Sequence, residues 1–192
     1  MESPDAWGIT VGMVVDVTTY YLQMLSPSEL RPSRAVVEGL EVRQARLPLP
    51  ELNRFFYTAV GGEWYWIDRL GWTYEQWRQW VERPELETWL AHLEGTPAGY
   101  CELERQGETV NIAYFGLIPR FIGRGIGGVL LTRCLERAWA MGAKRLTVNT
   151  CTLDGPQALA NYQARGFKLY RQETAPKELP DQPPGPWPGS RP

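Results

Sequence analysis

Four glycines, Gly123, Gly125, Gly127 and Gly128, fall within six residues and lead straight into an amphipathic run. Backbone without side chains can close its N–H groups around an anion, and a helix starting at the same point adds the positive end of its dipole. The chemistry this favours is phosphate binding. Spacing alone leaves several owners open. Gly123-x-Gly125-x-x-Gly128 satisfies the dinucleotide fingerprint, but that site needs an early parallel strand–helix–strand unit and an acid about 20 residues on to hold a ribose. The region beyond Gly128 offers Thr147, Val148 and Asn149 instead. A P-loop would require Gly-Lys-Ser/Thr, which is missing. A strand-to-helix turn with no ligand stays open on this stretch alone.

Other chemistries lose support by residue type. His92 is the only histidine, which removes most of the basis for metal sites and Ser-His-Asp triads. Cys101, Cys134 and Cys151 are odd in number, widely spaced and without a CxxC pair, so they read as reduced core cysteines of a cytoplasmic protein. Cys151, at a strand end, also suits a covalent acyl intermediate, although a buried strand cysteine is the plainer reading. A formal net charge of −2 gives no global field for nucleic acid or a membrane surface. No apolar run reaches ~18 residues, and the first five residues lack the basic start of a signal peptide.

The elements that must position the glycine loop follow from periodicity and breakers. At 192 residues the chain suits one substantial core, with an extension at either end. Residues 14–24 are rich in Val, Thr and Tyr and predict a strand within an N-terminal extension, 1–39. Alternation over 40–47 predicts another. Helices are expected over 51–60 and 73–81, separated by Gly61-Gly62 and an aromatic segment. Strands over 87–93, 98–105 and 109–117 then form an antiparallel meander feeding the loop. Residues 126–141 predict a helix with Leu131, Cys134, Leu135 and Ala138 on one face, stopped by Gly142. A strand over 145–150, a helix over 156–165 and a closing strand over 167–172 complete the domain. The last nineteen residues, 174–192, hold seven prolines and predict a tail outside helix and sheet, with Trp187 as a candidate anchor.

Two stretches carry a family resemblance. Leu117-Ile118-Pro119-x-x-x-Gly123-Arg124-Gly125-Ile126-Gly127-Gly128-x-Leu130-Leu131 resembles the acyl-CoA loop of the GNAT superfamily of N-acetyltransferases. Ala158-Leu159-Ala160-Asn161-Tyr162-Gln163-Ala164-Arg165-Gly166-Phe167 resembles that family's second signature, Tyr-x-x-x-Gly-Phe at the end of a short helix. The resemblance covers roughly residues 41–173. It implies an α/β (α+β) fold whose mixed, mostly antiparallel central sheet splays open at the acyl-CoA site, flanked by helices, over a domain of residues 40–173. Backbone groups of Leu117 and Ile118 would pair with the pantetheine amides. N–H groups of Gly123, Arg124, Gly125, Ile126, Gly127 and Gly128 would surround the pyrophosphate. Ile122 stands where the family usually has Arg or Gln.

The same resemblance implies acetyl transfer from acetyl-CoA, a co-substrate, to a primary amine by direct attack in a ternary complex, without a metal. Making a lysine-like amine neutral at pH 7 costs roughly 4.6 kcal/mol, so a base or desolvation must help. Tyr162 matches the family's acid, a phenol able to donate to a thiolate of pKa ~8.5. Asn111 falls where many members carry a glutamate base, and an amide can orient water without holding the proton. Glu102, Glu104 and Glu108 lie near in sequence and read as solvated strand or turn residues. The acceptor is expected among the aromatics of 55–80, with Trp64 and Trp66 as substrate-binding candidates, while Trp77 and Trp80 read as core. It is a small-molecule amine or a protein or peptide amine. Rival readings are a non-catalytic acyl-CoA-binding or scaffold module, supported by Asn111, and a nucleotide-dependent oxidoreductase. The N-terminal strand and the tail also permit a homodimer or a partner added at a sheet edge.

Overall fold

The structure, a computed structural model, describes Trp7 and residues 11–190. Its centre is a seven-stranded sheet in the order β2-β3-β4-β5-β6-β1-β7. β2 (Leu40–Ala45), β3 (Leu86–Leu93), β4 (Thr96–Gln106) and β5 (Thr109–Leu117) form the expected antiparallel meander. Its β3–β4 turn is tight because Glu94 and Gly95 both take positive φ, 50° and 74°, the conformation a two-residue hairpin needs. β6 (Arg145–Cys151) lies parallel to β5 after the crossover helix α3 (Ile126–Ala140). The class is therefore mixed α/β, mostly antiparallel, as expected.

Alternate side chains of β4 face opposite layers, which is why that strand is buried through its middle. Cys101 and Leu103 join Leu130, Leu131, Cys134 and Leu135 of α3 in the main core, with Tyr162 and Phe167. Tyr100 turns the other way and packs with Phe56 and Val60 of α1 (Pro50–Gly61). Pro50 suits the first turn of α1, where its missing N–H costs nothing. α2 (Tyr74–Val81) starts in a complete capping box: Thr73 Oγ1 accepts from Gln76 N–H, and Gln76 Oε1 accepts from Thr73 N–H. Each fully buried leucine of these layers contributes roughly 1.5–3 kcal/mol of transfer free energy.

The sheet opens where the site lies. β5 and β6 pair only from Thr109↔Arg145 to Ile112↔Val148. Beyond that, β5 stays with β4 as far as Gly99↔Leu117, while β6 stays with β1 as far as Thr19↔Cys151. A bulge between Glu102 and Leu103, opposite Tyr114 and Ile112, sits at the point of divergence and bends the strand away. From Ala113 to Leu117, one edge of β5 therefore faces the opening.

Both ends of the chain join the sheet. β1 (Val11–Met24) is the strand expected over 14–24; it is inserted between β6 and β7 and places Leu22 and Met24 in the main core. β7 (Lys168–Pro180) runs eight residues past the expected end at 172, so 174–180 belongs to the sheet. Prolines 176 and 180 are tolerated because β7 is an edge strand with a free side that needs no donor. The rest of the tail touches the body at Gly185, whose N–H donates to Gly62 O at 2.9 Å, whereas Trp187 is 63 % exposed. No helix among the described residues is long and apolar enough to cross a membrane.

Candidate active site

A cleft of about 840 Å³ occupies the opening between β5 and β6. One end is walled by the glycine loop, the other by the segment joining α1 to α2. Tyr162, Asn111, Leu117, Gly123, Gly125, Gly127, Gly128, Trp64 and Trp66 all line it, so most of the residues chosen from sequence converge on one space.

At the glycine end, Gly123 and Gly125 hold φ of +84° and +79°, a region that side-chain-bearing residues enter at a cost. Gly125 caps α3 and passes the chain directly into the helix, so first-turn N–H groups are left without helical partners and point to the cleft end. Gly128 answers a different need. A Cβ there would lie 2.7 Å from Arg165 Nη1 and 2.9 Å from Ser33 Oγ. Ser33 belongs to the connection between β1 and β2, which crosses the first turn of α3. Its N–H donates to Thr132 Oγ1 (2.9 Å), which donates to Gly128 O (2.8 Å). This geometry suits an extended, phosphate-bearing ligand: open backbone donors, a helix N-terminus and no carboxylate among the loop residues.

Ile118, Arg124 and Ile126 of the expected donor set are not among the residues lining the cleft. Ile118 donates its N–H to Ala98 O and accepts from Phe121 N–H at 2.9 Å each, which leaves one lone pair of its carbonyl for a pantetheine amide. Ile126 puts its side chain in the core, and only its N–H can serve. The Arg124 guanidinium lies 5.7 Å from the Phe121 ring centre.

Tyr162 projects from α4 (Ala158–Ala164) and is wedged edge-on between Phe115 and Phe167, with centroids 5.9 and 6.1 Å away. Burial first, then the charge of Asp154 and the neighbouring Cys101 thiol, hold its hydroxyl far above the usual phenol range. The phenol is thus a neutral donor at any ordinary pH. Asn111 sits at the root of the opening, its Oδ1 accepting from Thr147 Oγ1 at 3.0 Å. Opposite it in the ladder is Glu104, which lines the cleft and pairs with Arg83 at 2.8 Å. Burial, then Asp154, raises the Cys151 thiol, which disfavours the thiolate a covalent acyl intermediate needs. No cluster able to hold a metal occurs among the described residues.

The aromatic end rests on a buried ion pair that sequence reasoning missed. Glu102 is fully buried, not solvated: it accepts from Asn53 Nδ2 (2.8 Å), Trp80 Nε1 (2.7 Å) and Arg69 Nη1 (3.4 Å). The Arg69 guanidinium is packed against Trp80, Tyr114 and Trp72, at 3.8, 4.2 and 4.4 Å from the ring centroids. The pair clamps the α1–α2 segment to the sheet and so fixes Trp64–Trp66. Trp80 is half-buried and lines the cleft, whereas Trp77 is core as expected. Trp66 meets Tyr114 edge-on at 4.9 Å and donates its indole N–H to Asp154 at 3.3 Å. Tyr65 between the two tryptophans has φ of +57°, a strained state for a bulky residue and one that clusters at functional sites. Asp154 was also missed. The one sequence signal was an acid between the sixth strand and the Tyr-x-x-x-Gly-Phe helix. That of Glu102 was a carboxylate within the apolar run Tyr100–Leu103.

The family described as "Acetyltransferase (GNAT) family" has a model that matches residues 50–167, spanning every element of this cleft except β1, β2 and β7. Among solved structures, a GCN5-related N-acetyltransferase from Sphaerobacter thermophilus is similar over 86 % of this chain and 53 % of its own, at TM-score 0.65 and 18 % identity. A GCN5-related N-acetyltransferase from Kribbella flavida is similar over 87 % and 60 %, at TM-score 0.60 and 15 % identity. A tandem GNAT protein from the clavulanic acid biosynthesis pathway is similar over 91 % and 57 %, at TM-score 0.58 and 16 % identity. The chain spans little more than half the length of these structures, and at such identities the likeness is one of fold. No curated protein matches the sequence.

Proposed function

The chain belongs to the acetyltransferase (GNAT) family, whose co-substrate is an acyl-CoA, and from that premise we propose that it moves an acetyl group from acetyl-CoA to a primary amine by direct attack in a ternary complex. The observation that carries this reading is the single cleft joining a glycine-loop helix N-terminus to an aromatic pocket, with Tyr162 lining it.

The residues fit such a donor. First-turn N–H groups at Gly125–Gly128 hold the pyrophosphate, and the missing Cβ of Gly128 lets Arg165 and Ser33 pack against the loop that presents them. Alternate backbone groups on the free edge of β5, from Ala113 to Leu117, hydrogen-bond the pantetheine arm and donate to the carbonyl oxygen as it gains charge. Acetyl-CoA supplies the activated acyl group when bound. Tyr162 gives its proton to the departing sulfur, a role suited to a phenol kept neutral by its surroundings. Asn111, fixed by Thr147, orients a water or the amine. Trp64 and Trp66 form the wall for the acceptor's body.

Asn111 also favours a second reading, a non-catalytic acyl-CoA-binding module, because its amide cannot hold a proton. Calorimetric titration with acetyl-CoA, with NAD as control ligand, tests the donor site. The expected result is saturable one-site binding of acetyl-CoA and none of NAD. Absence of acetyl-CoA binding by the folded protein would end both readings. Binding without thiol release in any amine screen would leave only the second.

A further inference from the structure

The carboxylates around the cleft fall into two kinds. Asp68 pairs with Lys177 at 3.4 Å, Glu104 with Arg83 at 2.8 Å and Glu102 with Arg69 at 3.4 Å. Asp154 lines the same cleft but takes part in no ion pair among the described residues. Its Oδ2 accepts from Thr150 Oγ1 at 2.7 Å and Cys151 N–H at 2.9 Å, and its Oδ1 from Trp66 Nε1 at 3.3 Å. All three donors are neutral. They fix where the oxygens point without cancelling the charge.

The position is equally specific. Asp154 lies on the β6–α4 loop where that loop meets the α1–α2 segment: Trp66 bonds to Asp154, and Trp64 approaches Gly155 so closely that a Cβ there would be 3.4 Å from the indole. The carboxylate thus stands at the aromatic wall and shares the cleft with Tyr162. Cys151, whose N–H donates to it, and Tyr114, edge-on to Trp66, are titratable groups beside it, and the Asp68–Lys177 pair, Tyr65, Arg69 and Glu104 line the same cleft. An unneutralised anion beside the half-buried rings of Trp64 and Trp66 that line the cleft lacks one component, a cation with an apolar body.

We propose that Asp154 anchors the acceptor's ammonium group and takes its proton, and that the acceptor is a primary amine whose aromatic body lies against Trp64 and Trp66. This rests on the acetyltransferase reading and supplies the base that Asn111 does not. The protons balance as follows. One leaves the ammonium nitrogen for the Asp154 carboxylate and passes to water at the mouth. The N–C bond forms as the C–S bond breaks, the sulfur takes the Tyr162 proton, and the second proton lost by nitrogen restores the phenol. One proton is released per turnover.

The test uses phenethylamine and n-propylamine as probes, with thiol release from acetyl-CoA as readout. Saturable release is expected with phenethylamine, at a kcat/KM at least tenfold above that for n-propylamine. Asp154→Asn, whose amide oxygen still accepts from Thr150 and Cys151, should lower kcat/KM at least 100-fold at pH 7, with acetyl-CoA affinity unchanged. Its deficit should shrink as pH rises and free amine accumulates, which a loss of packing alone would not produce. Should that variant fail to fold, Thr150→Val carries the test, with about a tenfold loss and a shifted acid limb of the pH profile. Equal values for the two amines, no release with phenethylamine from protein that binds acetyl-CoA, or a variant with the wild-type pH profile would each overturn the proposal. Failure to bind acetyl-CoA would instead remove the acetyltransferase reading beneath it.

Discussion

The two ends of the cleft are built from different materials. At the donor end, glycines Gly123, Gly125 and Gly128 expose main-chain donors, and their work depends on what is missing: a Cβ, a negative φ, a partner for the first-turn N–H groups. At the acceptor end, everything depends on side chains held from a distance, with Arg69 against three rings and Glu102 behind it. A backbone site is encoded within a dozen consecutive residues. The side-chain site draws on α1, α2, β4, β5 and two loops, so a change in any of them alters it.

The sharpest way to separate the ends is to damage one and measure the other. Arg69→Ala leaves Glu102 buried without its cation and should destabilise the protein by about 3–5 kcal/mol, read by denaturant unfolding. The double change Arg69→Met with Glu102→Leu should recover only part of that loss, because the apolar pair needs no desolvation but leaves Asn53 Nδ2 and Trp80 Nε1 without their carboxylate acceptor. At the donor end, Gly125→Glu forces a side chain into φ of +79° and puts a carboxylate at the helix N-terminus where phosphates would sit. Calorimetry should show acetyl-CoA affinity lowered at least ~100-fold, about 2.7 kcal/mol, with the aromatic end intact. Retained affinity would undo the loop assignment. Tyr162→Phe touches the junction. Turnover should fall roughly 30-fold, about 2 kcal/mol, less than a stronger acid would give, with acetyl-CoA affinity unchanged. Unchanged kcat would remove Tyr162 from the chemistry.

That division also marks how far the sequence could be read. The meander, α3, β6 and α4 follow from period and breakers, and the glycine loop with Tyr162 follows from adjacency in the chain. Three things were beyond local pattern. β1 shows the period of a strand, but nothing local says that its neighbours are β6 and β7. β7 runs through Pro176 because an edge strand forgives a missing N–H, and edge position is a property of the whole sheet. Glu102 and Asp154 look alike as letters. Only the fold gives one an arginine and leaves the other with neutral donors.

The insertion of β1 between β6 and β7 also bears on how the chain is made. Both neighbours of this strand lie far downstream of it. Met24 and Arg145 are about 120 residues apart, so at ~5–20 residues per second β1 waits roughly 6–24 s for its first partner. Through that interval a 14-residue strand with two open edges stands beside the ribosome. The meander and α3 can collapse without it, but the sheet is complete only when β7 has emerged. A nascent chain of this design has to be kept from its own copies until its last strand arrives.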